Sequence, residues 1–579
     1  MRKARVHHAS HAGALPWVAV SAAVLAMACG PVAPASGARK PPAPWPERTA
    51  GVGDLVAHFA SGHPDHVVEP GDEATPAVVV TNRGGEAQEA NVYITVRSFD
   101  DTVLGHEHPV RVPAGGSVRV PVPKDAFIAR GIKWVGFRVI RSAEHSKTAR
   151  AAFAYMEPTG PKPSLPTVPR PEPGAMRFGM AYGASPDNYS ETAARKTGRL
   201  GVDIARIPIY WSQCEPRDGE WNWDRSDGAV VTYAAHGVGA FGLIMNTPGW
   251  ARVHGPKSEN PFARLDAWRD FITHLARHYR GRIRYWEVWN EPDIDFFKGT
   301  ADEYRQMLRA AYEAFKAVDP DMQVMTGGFV SLAHHGRKDG MIETVIREDH
   351  ASFDLLAYHT HGPFKGHFQT ELDDRLLPYM RKVLKEPKPV FFTETGMDCR
   401  LGEHHQARTL AKKVVFAWSR GAVVYTWFNL HDMLRAEGPR HMGQTYGLYT
   451  PYRRNDPKAG WKPENVDYPY AWPKASYVAY NTLIALLHGA RYVKPLSCGE
   501  GGWAFVFRRG DRHVVVAWRE AKGGDSLTLR TDATKAETVD LMGNHTSAAV
   551  DGARLRLPLD ETPVYVILDT VEPPAAETR

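Results

Sequence analysis

The pattern of apolar and polar positions divides the chain into three parts. Between residues 77 and 140, apolar residues alternate with polar ones or form β-branched runs that glycine-rich turns separate. From Arg177 onward, short apolar strands alternate with helical stretches, and after His488 the period-two alternation returns. This order predicts a small β-sandwich, then a β/α unit with a parallel sheet, then a second β-sandwich.

The β/α part contains eight predicted strands, the number that closes a (β/α)₈ TIM barrel. The stretches between them carry apolar stripes at helical spacing, as in residues 268–275. An open doubly wound sheet is the alternative, disfavoured because no glycine-rich phosphate loop follows the first strand. The predicted strands are Arg177 to Gly183, Ile204 to Tyr210, Gly239 to Met245, Arg284 to Trp289, Gln323 to Phe329, Phe353 to His359, Pro389 to Thr393 and Ala422 to Phe428.

Two proline-rich stretches, 38–47 and 157–174, disfavour regular structure and mark linkers. The sandwich between them resembles the Ig-like modules of extracellular hydrolases, and the C-terminal sandwich is expected to pack against the barrel. The predicted domains are a signal peptide at 1–29, a Pro-rich linker at 30–48, an Ig-like β-sandwich at 49–157, a second Pro-rich linker at 158–175, a TIM barrel at 176–489 and a C-terminal β-sandwich at 490–572.

The N-terminus has the pattern of an export signal: positive residues at 2–5, an apolar stretch at 15–28 and small residues at 26–28 for cleavage. The apolar stretch is interrupted by Pro16 and is shorter than the roughly 20 residues of a membrane-spanning helix. Cys29 follows directly and resembles the lipidated cysteine of bacterial lipoproteins. We therefore expect an exported protein, extracellular, periplasmic or on the cell surface, with a lipidated Cys29 as the one route to membrane attachment.

Composition excludes several classes of protein. A net charge of +6 is small for 579 residues, so a nucleic-acid partner is not expected. The four cysteines form neither a disulfide framework nor a zinc-ligand spacing. Pairs of adjacent histidines, such as His334 and His335, lack a third ligand at a familiar spacing, so no metal or other cofactor is expected.

Two glutamates stand where the predicted barrel strands end. Glu291 closes the segment Trp-Glu-Val-Trp-Asn-Glu after strand four, and Glu394 lies in Phe-Phe-Thr-Glu-Thr-Gly at the end of strand seven. Active sites of this fold lie at that face of the barrel. A pair of carboxylates is what glycosidic hydrolysis needs, one group to protonate the leaving oxygen and one to attack or to activate water. Glu287, deeper on strand four, is expected to be structural.

These motifs resemble the clan A glycoside hydrolases, whose hallmark is Asn-Glu-Pro after strand four and a glutamate after strand seven. Three further segments are similar to family 39 and its neighbours, with family 5 close by: residues 204–211, residues 215–223 and residues 247–251. The resemblance covers the barrel, roughly residues 177–487. It implies a TIM-barrel glycosidase that needs no metal.

The resemblance also implies roles for individual residues. Glu291 would be the acid/base and Glu394 the nucleophile, while Asn290 would bind the sugar 2-hydroxyl. Arg206 on strand two would lie near Glu394 and favour its ionised form. A purely structural barrel salt bridge is the alternative for Arg206.

Aromatic residues would complete the sugar-binding site. Trp427 near the end of strand eight would form a platform beneath the sugar, with a place in the core as its alternative, and Trp250 after strand three would contact substrate. His359 and His361 would line the same subsite or serve the structure alone. Related enzymes often place a tyrosine after strand six to bond the nucleophile, whereas this chain offers His361, with Tyr358 further back.

The sequence thus predicts a retaining glycoside hydrolase that cleaves β-linked glycosides of oligosaccharides or polysaccharides, and that is exo-acting. An endo-acting glycanase is the alternative within the enzyme class. A catalytically silent carbohydrate-binding surface protein is the alternative outside it, and a scaffold in which the barrel is a spacer leaves the Asn-Glu-Pro segment unexplained.

Overall fold

The structure is a computed structural model of the whole chain. It describes residues 48–577 apart from 64, 143, 161, 163–166, 183–189, 335–336, 339, 433–444, 451–452, 455–465, 468–470 and 521–525. The predicted signal peptide, Cys29 and nearly all of the first linker lie outside these ranges. No helix within the described ranges is long and apolar enough to cross a bilayer.

The first domain is a β-sandwich of two mainly antiparallel sheets. One sheet has the order β1-β2-β4-β7, the other β3-β10-β8-β5-β6 with β9 on the edge of β8. In β5, buried residues such as Val92 and Ile94 alternate with half-buried ones, as the sequence pattern predicts. The strands are β1 (Thr49–Val52), β2 (Leu55–Ala60), β3 (Val67–Val68), β4 (Ala77–Asn82), β5 (Gln88–Ser98), β6 (Val103–Val112), β7 (Ser117–Pro121), β8 (Gly131–Arg141), β9 (Glu144–His145) and β10 (Ala149–Tyr155).

Eight parallel strands form the central barrel. Their order, β15-β14-β13-β12-β11-β18-β17-β16, follows the chain around a circle, and bridges from Met325 to Leu355 and from Phe329 to Tyr358 join the last two edges. The predicted barrel is therefore confirmed. The strands are β11 (Arg177–Ala181), β12 (Ile204–Tyr210), β13 (Gly239–Met245), β14 (Tyr285–Val288), β15 (Gln323–Met325), β16 (Leu356–His361), β17 (Val390–Gly396) and β18 (Val424–Phe428).

Helices cover the outside of the barrel, with apolar faces turned inward as in the helix over residues 265–279. The helix over residues 301–318 begins with a capping box in which Thr300 and Glu303 satisfy each other's backbone N–H groups. The helices are α1 (Glu191–Leu200), α2 (Trp211–Cys214), α3 (Asp224–Ala235), α4 (Leu265–Tyr279), α5 (Ala301–Val318), α6 (Met341–Glu348), α7 (Leu377–Val383), α8 (Glu403–Ser419) and α9 (Ala475–Leu487).

Side chains fill the barrel interior in two layers. The lower one, called here the apolar layer, consists of Ile204, Phe241, Tyr285, Met325, Leu355, Ala357, Phe391 and Val424. Two residues further along the same strands, the alternation of strand side chains brings polar groups to the inside. These form the polar layer, which consists of Arg206, Glu287, His359, Thr393 and Glu394.

A β-bulge in β17 places two consecutive residues in the polar layer. Opposite β16, Ala357 pairs with Phe391 but His359 pairs with Glu394, so β17 holds one extra residue. The pairing with β18 shifts in the same stretch, between Phe392 and Thr395. The extra residue lets both Thr393 and Glu394 hydrogen-bond inside the barrel, since a regular strand would send one of them outward.

The C-terminal domain is a second β-sandwich, and both sandwiches pack on the barrel. Its sheets have the orders β21-β22-β23-β28-β25-β26 and β27-β24-β29. Trp503 stacks edge-on against Phe416 of α8, and Asp65 of the first sandwich binds Arg195 of α1. The remaining strands are β19 (Arg453–Arg454), β20 (Val466–Asp467), β21 (Arg491–Pro495), β22 (Gly502–Arg509), β23 (Arg512–Arg519), β24 (Ser526–Arg530), β25 (Ala536–Val539), β26 (His545–Ala548), β27 (Arg554–Pro558), β28 (Val564–Leu568) and β29 (Ala575–Ala576).

Candidate active site

Glu291 is carried into the barrel mouth by a strained turn after β14. Trp289 and Glu291 have φ angles of 79° and 41°, a region that non-glycine residues rarely adopt. The turn is held by the Glu291 N–H, which donates to Gly328 O at 3.1 Å, and by the Trp289 indole N–H, which donates to Phe296 O at 3.0 Å. Strain that surrounding bonds maintain in this way is typical of functional sites.

Arg206 is the centre of the polar layer. Its guanidinium donates to Glu287 Oε2 at 2.7 Å, to Glu394 Oε2 at 2.8 Å and to Asn290 Oδ1 at 2.7 Å. All four side chains are at least nine-tenths buried. Arg206 therefore lies beside Glu394, where the sequence placed it, and it also orients the amide next to Glu291. It also binds Glu287, which lies deeper in the barrel.

His359 links the two glutamates of strand four. Its Nδ1 lies 2.8 Å from Glu291 Oε1, and its Nε2 lies 3.0 Å from the hydroxyl of Thr393, which donates to Glu287 Oε1 at 2.7 Å. Burial alone would lower the pKa of His359, but the neighbouring carboxylates of Glu287 and Glu291 outweigh it and raise the pKa to about 9. At neutral pH the ring is a cation that donates from both nitrogens.

His361 contacts the carboxylate of Glu394. Its Nε2 lies 3.2 Å from Glu394 Oε1. His361 thus makes the contact that the family resemblance assigns to a tyrosine in related enzymes. Burial alone would raise the pKa of Glu394, but His359, His361 and Arg206 reverse that effect and lower the pKa to about 2. Glu394 is therefore ionised throughout the ordinary pH range.

The two glutamates converge. One carboxylate oxygen of Glu291, one of Glu394 and a ring nitrogen of His361 all lie within 4.8 Å of one another. These three side chains have the donor types that a divalent cation prefers. The neighbouring Arg206 guanidinium and the protonated His359 ring disfavour a further positive charge there.

The predicted platform residue lies elsewhere. Trp427 has no exposed surface and belongs to the core cluster on the outer side of the barrel strands, where its indole N–H donates to Tyr446 O at 2.9 Å. Its neighbour Phe428 points inward, with its ring 5.7 Å from that of His361. The prediction for Trp427 is wrong by one position, because adjacent strand residues face opposite sides.

The ring of Tyr446 lies 5.1 Å from that of His361, and the sequence offered no motif around this residue. The strand-six histidines and Asn290 are brought together with the glutamates as predicted. Trp250 is half-buried, and its indole N–H donates to Glu215 O at 3.2 Å. Its predicted contact with substrate stays a prediction.

Asp293 is a further buried carboxyl beside the site that sequence reasoning missed. It is fully buried, and its Oδ1 accepts a hydrogen bond from the Val330 N–H at 3.3 Å. Burial and the negative charge of Glu291 raise its pKa to about 8, so it is protonated at neutral pH. Its position two residues after Glu291 was the available signal, but burial of a loop carboxyl is not visible in one sequence.

Comparison with known proteins agrees with this geometry. Residues 257–399, which include both glutamates, match the sequence model described as Glycosyl hydrolases family 39. A beta-xylosidase of Caldicellulosiruptor saccharolyticus is 31% identical over 146 residues, which are 22% of this chain and 30% of that protein. The match thus spans less than a third of that relative's length.

One of the solved structures similar to this chain shows the fold. A family 39 glycoside hydrolase from the gut symbiont Bacteroides cellulosilyticus WH2 superposes with a TM-score of 0.63 at 18% identity, over 87% of this chain and 99% of that one. A family 39 beta-xylosidase from Caulobacter crescentus matches 69% of this chain and 97% of its own, with a TM-score of 0.49 and 18% identity. The predicted resemblance to the clan A glycoside hydrolases, and to family 39 among them, is confirmed.

Proposed function

We propose that this protein is a retaining glycoside hydrolase that cleaves β-linked glycosides through a covalent glycosyl–enzyme intermediate. The observation that carries the proposal is the approach of one carboxylate oxygen of Glu291 to within 4.8 Å of one carboxylate oxygen of Glu394. Retaining enzymes hold their two carboxyl groups about 5–5.5 Å apart, whereas inverting enzymes need about 6.5–9.5 Å for an intervening water. The observed approach supports direct attack by one carboxylate.

Glu394 is the nucleophile in this proposal. It is ionised, because Arg206 and His361 bind its two oxygens and the nearby His359 is a cation. A charged carboxylate is the form that attacks the anomeric carbon. The same contacts fix its orientation, so little reorganisation accompanies the attack.

Glu291 is the acid/base, which protonates the leaving oxygen and later activates water. Its turn projects the carboxyl toward Glu394, and His359 holds one of its oxygens at 2.8 Å. Asn290, fixed by Arg206 at 2.7 Å, is placed to bond the sugar 2-hydroxyl. Such a contact strengthens as positive charge develops in the transition state.

The substrate class follows from the resemblance together with the site. The relative named beta-xylosidase supports a β-linked glycoside, drawn from oligosaccharides or polysaccharides. Exo action and export, with or without a lipid on Cys29, remain part of the proposal. An endo-acting glycanase is the alternative. The two are distinguished by whether products are released from the ends of the polysaccharide or from within it.

The test uses purified enzyme and a panel of chromogenic aryl β-glycosides, with proton NMR of the first-formed sugar. Wild-type protein should release a product of retained configuration, and an inverted product would contradict the proposal. Glu394→Ala should lose about 10⁴-fold or more in kcat, and azide should restore turnover to a glycosyl azide of inverted configuration.

A matched control is another fully buried glutamate, Glu371, which binds Tyr358 outside the barrel interior. Glu371→Ala should lower stability, and azide should not change its rate. Binding of xylo- or gluco-oligosaccharides with no hydrolysis by wild-type protein would instead support a silent carbohydrate-binding protein.

A further inference from the structure

Lys413 is a fully buried lysine in the middle of α8, on the side that faces the barrel. Its Nζ donates to three backbone carbonyls: Thr360 O at 2.7 Å, Gly362 O at 3.3 Å and Gly396 O at 3.2 Å. The ring of Phe368 lies 4.7 Å from the same nitrogen. Burial lowers the pKa of Lys413 well below its usual value. The three carbonyl oxygens are therefore the groups that would stabilise a positive charge on its amino group.

The three carbonyls belong to the strand ends that carry the site. Thr360 and Gly362 flank His361, the last residue of β16, and Gly396 follows Glu394 by two residues on β17. The Gly362 N–H also donates to Gly396 O at 2.9 Å. Lys413 therefore joins the two strand ends from outside the barrel, directly behind the contact between His361 and Glu394.

We infer that Lys413 is a positioning residue that keeps His361 within hydrogen-bonding reach of the nucleophile by clamping the ends of β16 and β17. The inference rests on the proposed function, in which Glu394 attacks the sugar. The Lys413 nitrogen lies within hydrogen-bonding distance of all three carbonyls and so contacts both strand ends at once. An apolar side chain of equal length would fill the space but leave the carbonyls without this donor.

The adjacent residue provides a matched control. Lys412 lies on the same helix and is also buried, but its Nζ binds Glu520 of the C-terminal sandwich at 2.8 Å. Lys412→Met and Lys413→Met make the same chemical change one residue apart. The first breaks an interdomain ion pair, whereas the second releases the strand ends behind the active site.

The first readout is the acid limb of kcat/KM, which reports ionisation of the nucleophile in the free enzyme. Loss of the His361 contact removes a bond that favours the anion, so the pKa of Glu394 rises. Lys413→Met should move the acid limb upward by about one pH unit and lower kcat/KM about tenfold. Lys412→Met should leave the acid limb in place. The titratable and charged groups around Glu394 are Arg206, Glu287, Glu291, His359 and His361, and neither substitution replaces any of them.

The second readout needs no turnover. The ¹⁵N shifts of the His361 ring, assigned with His361→Gln, report its bond to Glu394 and should change in Lys413→Met but not in Lys412→Met. The inference is overturned if Lys413→Met has the same acid limb and the same His361 ring shifts as Lys412→Met. If wild-type protein hydrolyses no glycoside, the proposed function fails and the ring shifts alone decide the role of Lys413. If Lys413→Met does not fold, Lys413→Gln, which keeps two N–H donors, is measured in the same two ways.

Discussion

The apolar and polar layers of the barrel are built on the same strands, two residues apart, yet they are held by different forces. Both are buried, with Phe391 at 0% exposure and Glu394 at 5%. The apolar layer is held by packing, which is not directional and can adjust to changes in shape. The polar layer is held by specific donors and acceptors, in which Arg206 alone serves three partners.

The difference shows that the buried charged groups, which are costly for stability, are confined to the polar layer beside the site. A barrel filled with apolar side chains throughout would need no buried ions, because replacing a buried ion pair by packed apolar groups is often neutral or stabilising. The polar layer instead keeps a carboxylate ionised and oriented at the rim of the barrel. Substitutions in the two layers should therefore separate loss of stability from loss of rate.

Among the substitutions that compare the two layers, the largest effect is expected for Glu291→Ala, above the polar layer. In the proposed mechanism, substrates with poor leaving groups need a proton from this residue, so their kcat/KM should fall by about 10²–10⁴-fold. Activated aryl glycosides, whose leaving groups need no proton, should lose far less. Steady-state kinetics on a series of leaving groups measures this, and equal losses across the series would remove Glu291 as the acid.

Arg206→Met should affect both stability and rate. The substitution leaves the carboxylates of Glu287 and Glu394 buried without their cation, which costs about 3–5 kcal/mol in unfolding free energy. The pKa of Glu394 should rise, so the acid limb of kcat/KM should move to higher pH. Denaturant unfolding and pH–rate profiles provide the two measurements, and a stable variant with an unchanged acid limb would contradict this account of the polar layer.

Phe391→Ala in the apolar layer should match Arg206→Met in stability but not in rate. Truncation of a buried phenylalanine costs about 3–5 kcal/mol through lost burial and the cavity left behind. The kcat of the folded fraction should stay near that of wild type, because Thr393 and Glu394 keep their hydrogen bonds. Active-site titration with a covalent inhibitor corrects for unfolded protein. A large fall in kcat per active site would show that the layers are not separable.

The smallest effect is expected in the pH dependence of stability. The pKa of His359 is raised to about 9 on folding, so its contribution is complete below about 6.5 and is lost as pH rises through 9. The pKa of Glu394 is lowered to about 2, so its contribution is complete above about 4.5 and is lost as pH falls through 2. The destabilisation caused by His359→Gln should be about 1–3 kcal/mol near pH 6 and should shrink toward pH 10. Thermal unfolding across this range tests it, and a difference that does not change with pH would contradict the assigned charge.

Much of the fold was predictable because strand and helix periodicities are local properties of sequence. Eight apolar strands separated by amphipathic helices predict the barrel, and glutamates at two strand ends predict residues that meet at its rim. Arg206 was predictable as a neighbour of Glu394 only through the family resemblance. Its bond to Glu287 follows from three-dimensional pairing that no single strand reveals.

What could not be predicted depends on departures from regular alternation and on distant contacts. The bulge in β17 adds one residue without any glycine or proline to mark it. The prediction for Trp427 failed because the inward phase of β18 is set by its neighbours in the sheet. Lys413 lies on a helix that covers the barrel, and its three carbonyl partners are far from it in the sequence.

The extra residue in β17 also bears on how such a site can arise and disappear in evolution. A one-codon deletion between Phe392 and Thr395 would remove either Thr393 or Glu394 without altering the reading frame, and would leave an ordinary strand with a single residue of the two in the polar layer. One such deletion or insertion is therefore enough to remove or to add the proposed nucleophile. Silent relatives of this chain should be sought among sequences one residue shorter at this point.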